Sequence, residues 1–98
     1  MIIAFSVAPA VTATEDAEMS AAVAAAVRIV RESGLPNETN AMFTLVEGEW
    51  DEVMEVVKRA TFAVAEVSPR VSLVLKADIR PGYEDQLHQK MSSLEQHF

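Results

Sequence analysis

No cysteine occurs among the 98 residues, which excludes disulfides, thiolate metal sites and cysteine nucleophiles together. Bases are scarce too: eight Lys and Arg stand against fifteen Asp and Glu, a formal charge of −7. A surface of that sign repels phosphates, and no segregated basic patch is visible, so nucleic acid is not an expected partner. Glycine is down to three residues, none of them in a phosphate-cradling loop, and there is no G-x-S-x-G elbow. The two histidines, His88 and His97, lie too far apart along one helix to share a metal at i,i+4 spacing. No metal and no cofactor is expected. The one long apolar run, Met1 to Val11, has no base before it and is too short to span a bilayer. It reads as a buried strand of a cytoplasmic protein, with no membrane partner.

What the chain does have is apolar residues, half of the total, enough for one packed domain over residues 1–98. Ile3, Phe5 and Val7 alternate with Ala4, Ser6 and Ala8, which is strand periodicity, and Pro9 ends useful ladder donation. Thr12 to Asp16 supplies helix-start chemistry: Thr12 and Glu15 have capping-box spacing, and Thr14 is an equally good cap. The helix that follows carries Met19, Val23, Val27 and Val30 at helical spacing and stops at Ser33-Gly34-Leu35-Pro36. Asn37 to Asn40 reads as a short strand or turn, Met42 to Glu47 as a strand. A second helix, about Glu49 to Val67, shows Trp50, Val53, Met54, Val57, Thr61 and Val64 on one face, with Glu55 and Arg59 as an i,i+4 pair on the other. Val71 to Arg80 alternates again, and Pro81-Gly82 leads into a last helix striped by Leu87, Met91, Leu94 and Phe98. The order β-α-β-β-α-β plus one helix predicts an α+β, ferredoxin-like antiparallel sheet with helices on one face and an additional C-terminal helix.

Such a sheet leaves an open face. The alternation assigns to it Ala4 and Ser6, then Met42, Thr44 and Val46, then Val74, Lys76 and Asp78. A half-apolar face of this kind is covered either by another subunit, the favoured reading, or by the third helix. Its polar members Ser6, Thr44, Lys76 and Asp78 offer a ligand site, a few placed donors and acceptors in an apolar wall; alternatively Lys76 and Asp78 merely neutralise each other. Trp50 reads as core, and Glu47 either accepts from a ligand amine or meets helix amides.

Five stretches taken in order resemble one family: Ser6-Val7-Ala8-Pro9, Glu32-Ser33-Gly34-Leu35, Asn40-Ala41-Met42, the run from Thr44 to Met54, and Lys76 to Arg80. Together they are similar to the thiamine-binding protein family of the YkoF-like superfamily. The resemblance implies a ferredoxin-like protomer, a homodimer or homotetramer formed through the sheet, and binding of thiamine or a related hydroxymethylpyrimidine compound without catalysis. It also implies Ser6, Asn40, Thr44, Glu47 and Asp78 as ligand-binding residues. An aminopyrimidine wants an acceptor for its amine and a donor for its ring nitrogen, and a thiazolium favours a nearby carboxylate. The chain departs from the family pattern at Ala10-Val11-Thr12, where a glycine is usual, and at Phe43, where a small residue is. Two other classes fit the length and fold: a dimeric α+β-barrel oxygenase-like enzyme, and a structural or regulatory assembly module without ligand. Both histidines on the terminal helix count against the enzyme.

Overall fold

Large residues on one side of the first strand and small ones on the other set the layering. In the computed structural model, which describes residues 1–10 and 16–98 (side chains of 16–19 excepted), Ile2–Pro9 forms β1 with Ile3, Phe5 and Val7 buried. The strand lies at the centre of a four-stranded sheet ordered β2-β3-β1-β4, with β2 at Asn37–Thr39, β3 at Thr44–Glu47 and β4 at Val71–Asp78. The apolar opening run is therefore fold, antiparallel to β3 on one side and to β4 on the other. Helices α1 (Asp16–Glu32) and α2 (Trp50–Ala65) cover one face. This is the expected α+β arrangement. The helix-start residues Thr12, Thr14 and Glu15 and the side chain of Met19 lie outside the described residues.

Three expectations are corrected by the packing. In α1 the fully buried stripe is Ala22, Ala26 and Val30, while Val23 and Val27 are only half-buried. Alanines let the helix axis approach the sheet closely, which displaces the bulkier valines to the flank. In α2 the buried residues are Val53, Val56, Val57, Ala60 and Val64, and Trp50 is 54 % exposed. Trp50 occupies the helix's first position, beside the Arg80–Tyr83 turn, too far along to cover the sheet. Glu52 accepts the Glu49 N–H at 3.2 Å and closes that helix start. Glu55 and Arg59 do not pair; the ion pairs among the described residues are Asp85–His88 and Asp78–Lys90.

The third correction concerns the phase of β3. Residues directly opposite in an antiparallel pair share a face, and Phe5 faces Thr44 while Ile3 faces Val46. Thr44 and Val46 thus point to the helices and are buried, whereas Leu45 and Glu47 take the open face beside Ala4 and Ile2. Met42 is not in the strand. The Asn40 side-chain oxygen accepts the N–H groups of Met42 and Phe43, both at 2.8 Å, and this turn delays β3 until Thr44. Upstream, Gly34 ends α1 at φ +83°, the left-handed conformation that a glycine adopts without strain.

Candidate functional site

The open face is divided by α3 (Gln86–Glu95). The Glu47 carboxylate, on a residue only 5 % exposed, accepts the Gln86 N–H at 2.7 Å and the Leu87 N–H at 3.1 Å. Free amides at a helix start are satisfied and its positive end neutralised by one side chain from β3. Glu47 therefore meets helix amides, but those of α3 and not of the helix that follows it in sequence. Leu87 is the buried anchor beneath, and Lys90 pairs with Asp78. That pairing is the first cause holding the Asp78 carboxyl below its ordinary range, with Arg80 and Lys76 adding smaller attractions. Asp78 is thus neutralised chiefly from α3, with Lys76 as the lesser neighbour.

Two concavities result. Under α3 lies a cleft of ≈ 660 Å³, floored by Ala4 and Leu45 and edged by Asn40, Lys76, Asp78 and Lys90. The second is a notch of ≈ 190 Å³ in the sheet itself. It exists because β3 accompanies β1 only as far as Phe5, while β4 continues beside it to Pro9. On the β3 side, the stretch from Ser6 to Ala8 has no strand next to it. The missing wall is supplied by the Asn40–Phe43 turn and by Val23 and Val27 of α1.

The five residues implied by the resemblance separate accordingly. Ser6, Asn40 and Thr44 all border the notch, Thr44 from the helix face of the sheet and Ser6 from the open face. Glu47 and Asp78 stand at the α3 end, each engaged in seating that helix. Asn40 also edges the cleft. The hydrogen-bonding states differ as well. Neither the Thr44 hydroxyl nor that of Ser6 has a partner among the described residues, neither is shut off from solvent, and Asn40 spends its oxygen on the turn while its amide N–H₂ stays free. Two hydroxyls, a free amide donor and a bare strand edge form a set that can pair with the edge of a planar heterocycle. Among groups near the notch that the sequence pattern did not single out, Arg28 and Arg31 line the groove continuing along α1.

Comparison with known proteins shows what the chain is similar to. A UPF0045 protein of Mycobacterium bovis is 49% identical over 98 residues, covering 99% of this chain and 93% of that protein. A hypothetical protein of Methanocaldococcus jannaschii, known by crystal structure, superposes with TM-score 0.82 at 30% identity, over 96% of this chain and 94% of that one. A Thermotoga maritima protein assigned provisionally to thiamine biosynthesis or salvage superposes with TM-score 0.77 at 26% identity, over 95% and 96% of the two chains. The family model described as thiamine-binding protein matches residues 3–95, and the chain belongs to that family.

Proposed function

We propose that this protein binds thiamine or a related hydroxymethylpyrimidine compound without turning it over, with the aminopyrimidine ring in the notch. The observation that carries the reading is that three residues with unengaged polar groups, Ser6, Asn40 and Thr44, border one notch at the bare edge of β1. An aminopyrimidine presents an amine donor next to ring-nitrogen acceptors, the complement of hydroxyls and a strand edge. At ≈ 190 Å³ the notch has room for one ring, not for a whole drug-sized molecule. Glu47 and Asp78 act at one remove by seating α3, and the rest of the ligand lies outside the notch. The exposed apolar residues of β4 and the half-covered open face support assembly as a homodimer or homotetramer through the sheet.

Calorimetric titration and thermal unfolding with thiamine test this directly. At 100 times Kd the ligand stabilises by about 2.7 kcal/mol, a shift on the order of 10 °C or more for a domain of this size. Thr44→Val, which keeps the shape and removes the hydroxyl, is expected to weaken binding about tenfold, the worth of one good hydrogen bond. Absence of heat and of any thermal shift at millimolar thiamine would sink the reading, as would unchanged affinity in Thr44→Val.

A further inference from the structure

The notch does not end at Val23 and Val27. These two residues also floor a groove of ≈ 600 Å³ running along the outer face of α1, past Ser20 and Ala24 to Arg28 and Arg31. The six positions recur at helical spacing, so they form one continuous stripe, and the two arginines sit one turn apart, about 4.5 Å along the axis. Neither guanidinium has a hydrogen-bond or ion-pair partner among the described residues. That is notable in a chain with fifteen acids for eight bases. Arg31 lies in the last turn and complements the helix's negative end, but Arg28 is too far from it to do so. Two adjacent, unspent forks over an apolar floor are the chemistry that holds a phosphate, because each offers paired N–H donors to its oxygens.

We propose that the α1 groove holds the anionic end of the ligand, so that the preferred ligand is a phosphate monoester of the aminopyrimidine compound and not the free alcohol. This rests on the ring occupying the notch: with the ring there, a short substituent crosses Val23 and Val27 and delivers its phosphate to Arg28 and Arg31. The same two charges act against a cationic thiazolium that carries no phosphate. Removing them therefore weakens binding of the phosphate ester without weakening that of the free alcohol.

The test is titration of the intact protein and of the double variant Arg28→Gln/Arg31→Gln with thiamine and with thiamine monophosphate. Wild type is expected to bind the monophosphate at least about tenfold more tightly than thiamine, and added salt to narrow the gap. In the double variant the preference disappears, through weaker monophosphate binding and unchanged or slightly tighter thiamine binding. A merely structural role for the arginines would weaken both ligands together, and that result overturns the proposal. Equal affinities in wild type overturn it too, while leaving the ring in the notch. Binding of neither ligand removes both readings.

Discussion

Two glycines in this chain are fixed by different physics, and substitution separates them. Gly34 sits at φ +83° with open space where a side chain would go, so a Cβ meets only its own backbone. Gly34→Ala is expected to cost about 1–2 kcal/mol, and Gly34→Asn distinctly less, since asparagine tolerates the left-handed region. Gly48 has no such conformation. A Cβ there would lie 3.1 Å from Val53, which is fully buried, and 3.4 Å from Leu35. Gly48→Ala should therefore cost about 1–3 kcal/mol through overpacking, and Gly48→Asn more. Urea unfolding of the four variants decides the matter; rescue by asparagine at Gly48 would refute the packing account. At this scale the sequence was informative where size and polarity agreed, as for Ile3, Phe5 and Val7. It misled where they disagreed: Trp50 carries the largest side chain in its helix stripe and is exposed, whereas Ala22 and Ala26 are small and buried.

Among the elements, β1 and α2 were legible because each shows a clear period, and β3 was not. Its run Met42-Phe43-Thr44-Leu45-Val46 is apolar in both phases, so alternation alone does not say which residues face the helices, and the register with Phe5 decides it. The seat of α3 was equally hidden, since Glu47 contacts Gln86 and Leu87 across 39 and 40 residues, a separation no periodicity reports. That seat has a pH window. His88 bonds Asp85 at 3.0 Å, and this bond is the first cause raising its imidazole above the ordinary 6.5, with Asp85's charge second and the charges of Glu38 and Glu47 weaker. A raised pKa stabilises the folded form below 6.5, and the gain is lost as pH climbs through the folded value. Asp78, lowered by Lys90 from the ordinary 3.8, contributes above that value and loses its contribution as pH falls through the folded one. The start of α3, held by Asp85–His88, and its tie to β4 through Asp78–Lys90 are thus both favoured between the two, around pH 4 to 6. Hydrogen exchange of the α3 amides, corrected for intrinsic rate, is expected to accelerate from pH 6 to 8 while β1 amides keep their protection. Asp85 holds φ 55°, which asparagine also accepts, so Asp85→Asn should abolish the His88 component. A pH response surviving in that variant would count against the pairing.

The molecule as a whole is more extended than its length requires. A Cα radius of gyration of 14.6 Å compares with about 12.6 Å expected for a compact domain of this size. Part of the excess is α3, of which only Leu87 is buried while Met91 and Leu94 face out, as does Phe98 beyond its end. The other anomaly is β4, an eight-residue edge strand whose Leu73, Val74 and Leu75 are all exposed. Isolated exposed apolar residues are ordinary, but an uncovered apolar edge of that length invites pairing with another chain. An antiparallel pair of β4 strands is self-complementary, as a two-fold interface must be, and would merge two four-stranded sheets without altering either fold. The expected result in sedimentation equilibrium is therefore a dimer or tetramer of the 10.7 kDa chain. Val74→Lys on the open face and Leu73→Lys on the helix face separate the two ways of assembling. If the sheets join edge to edge, both charges weaken the assembly, because like charges are brought together across the new pair. If the open faces stack, Val74→Lys dissociates it and Leu73→Lys leaves it largely intact. A wild-type chain that sediments as a monomer at tens of micromolar, with both variants unchanged, would show that the exposed edge is managed by some other means than self-association.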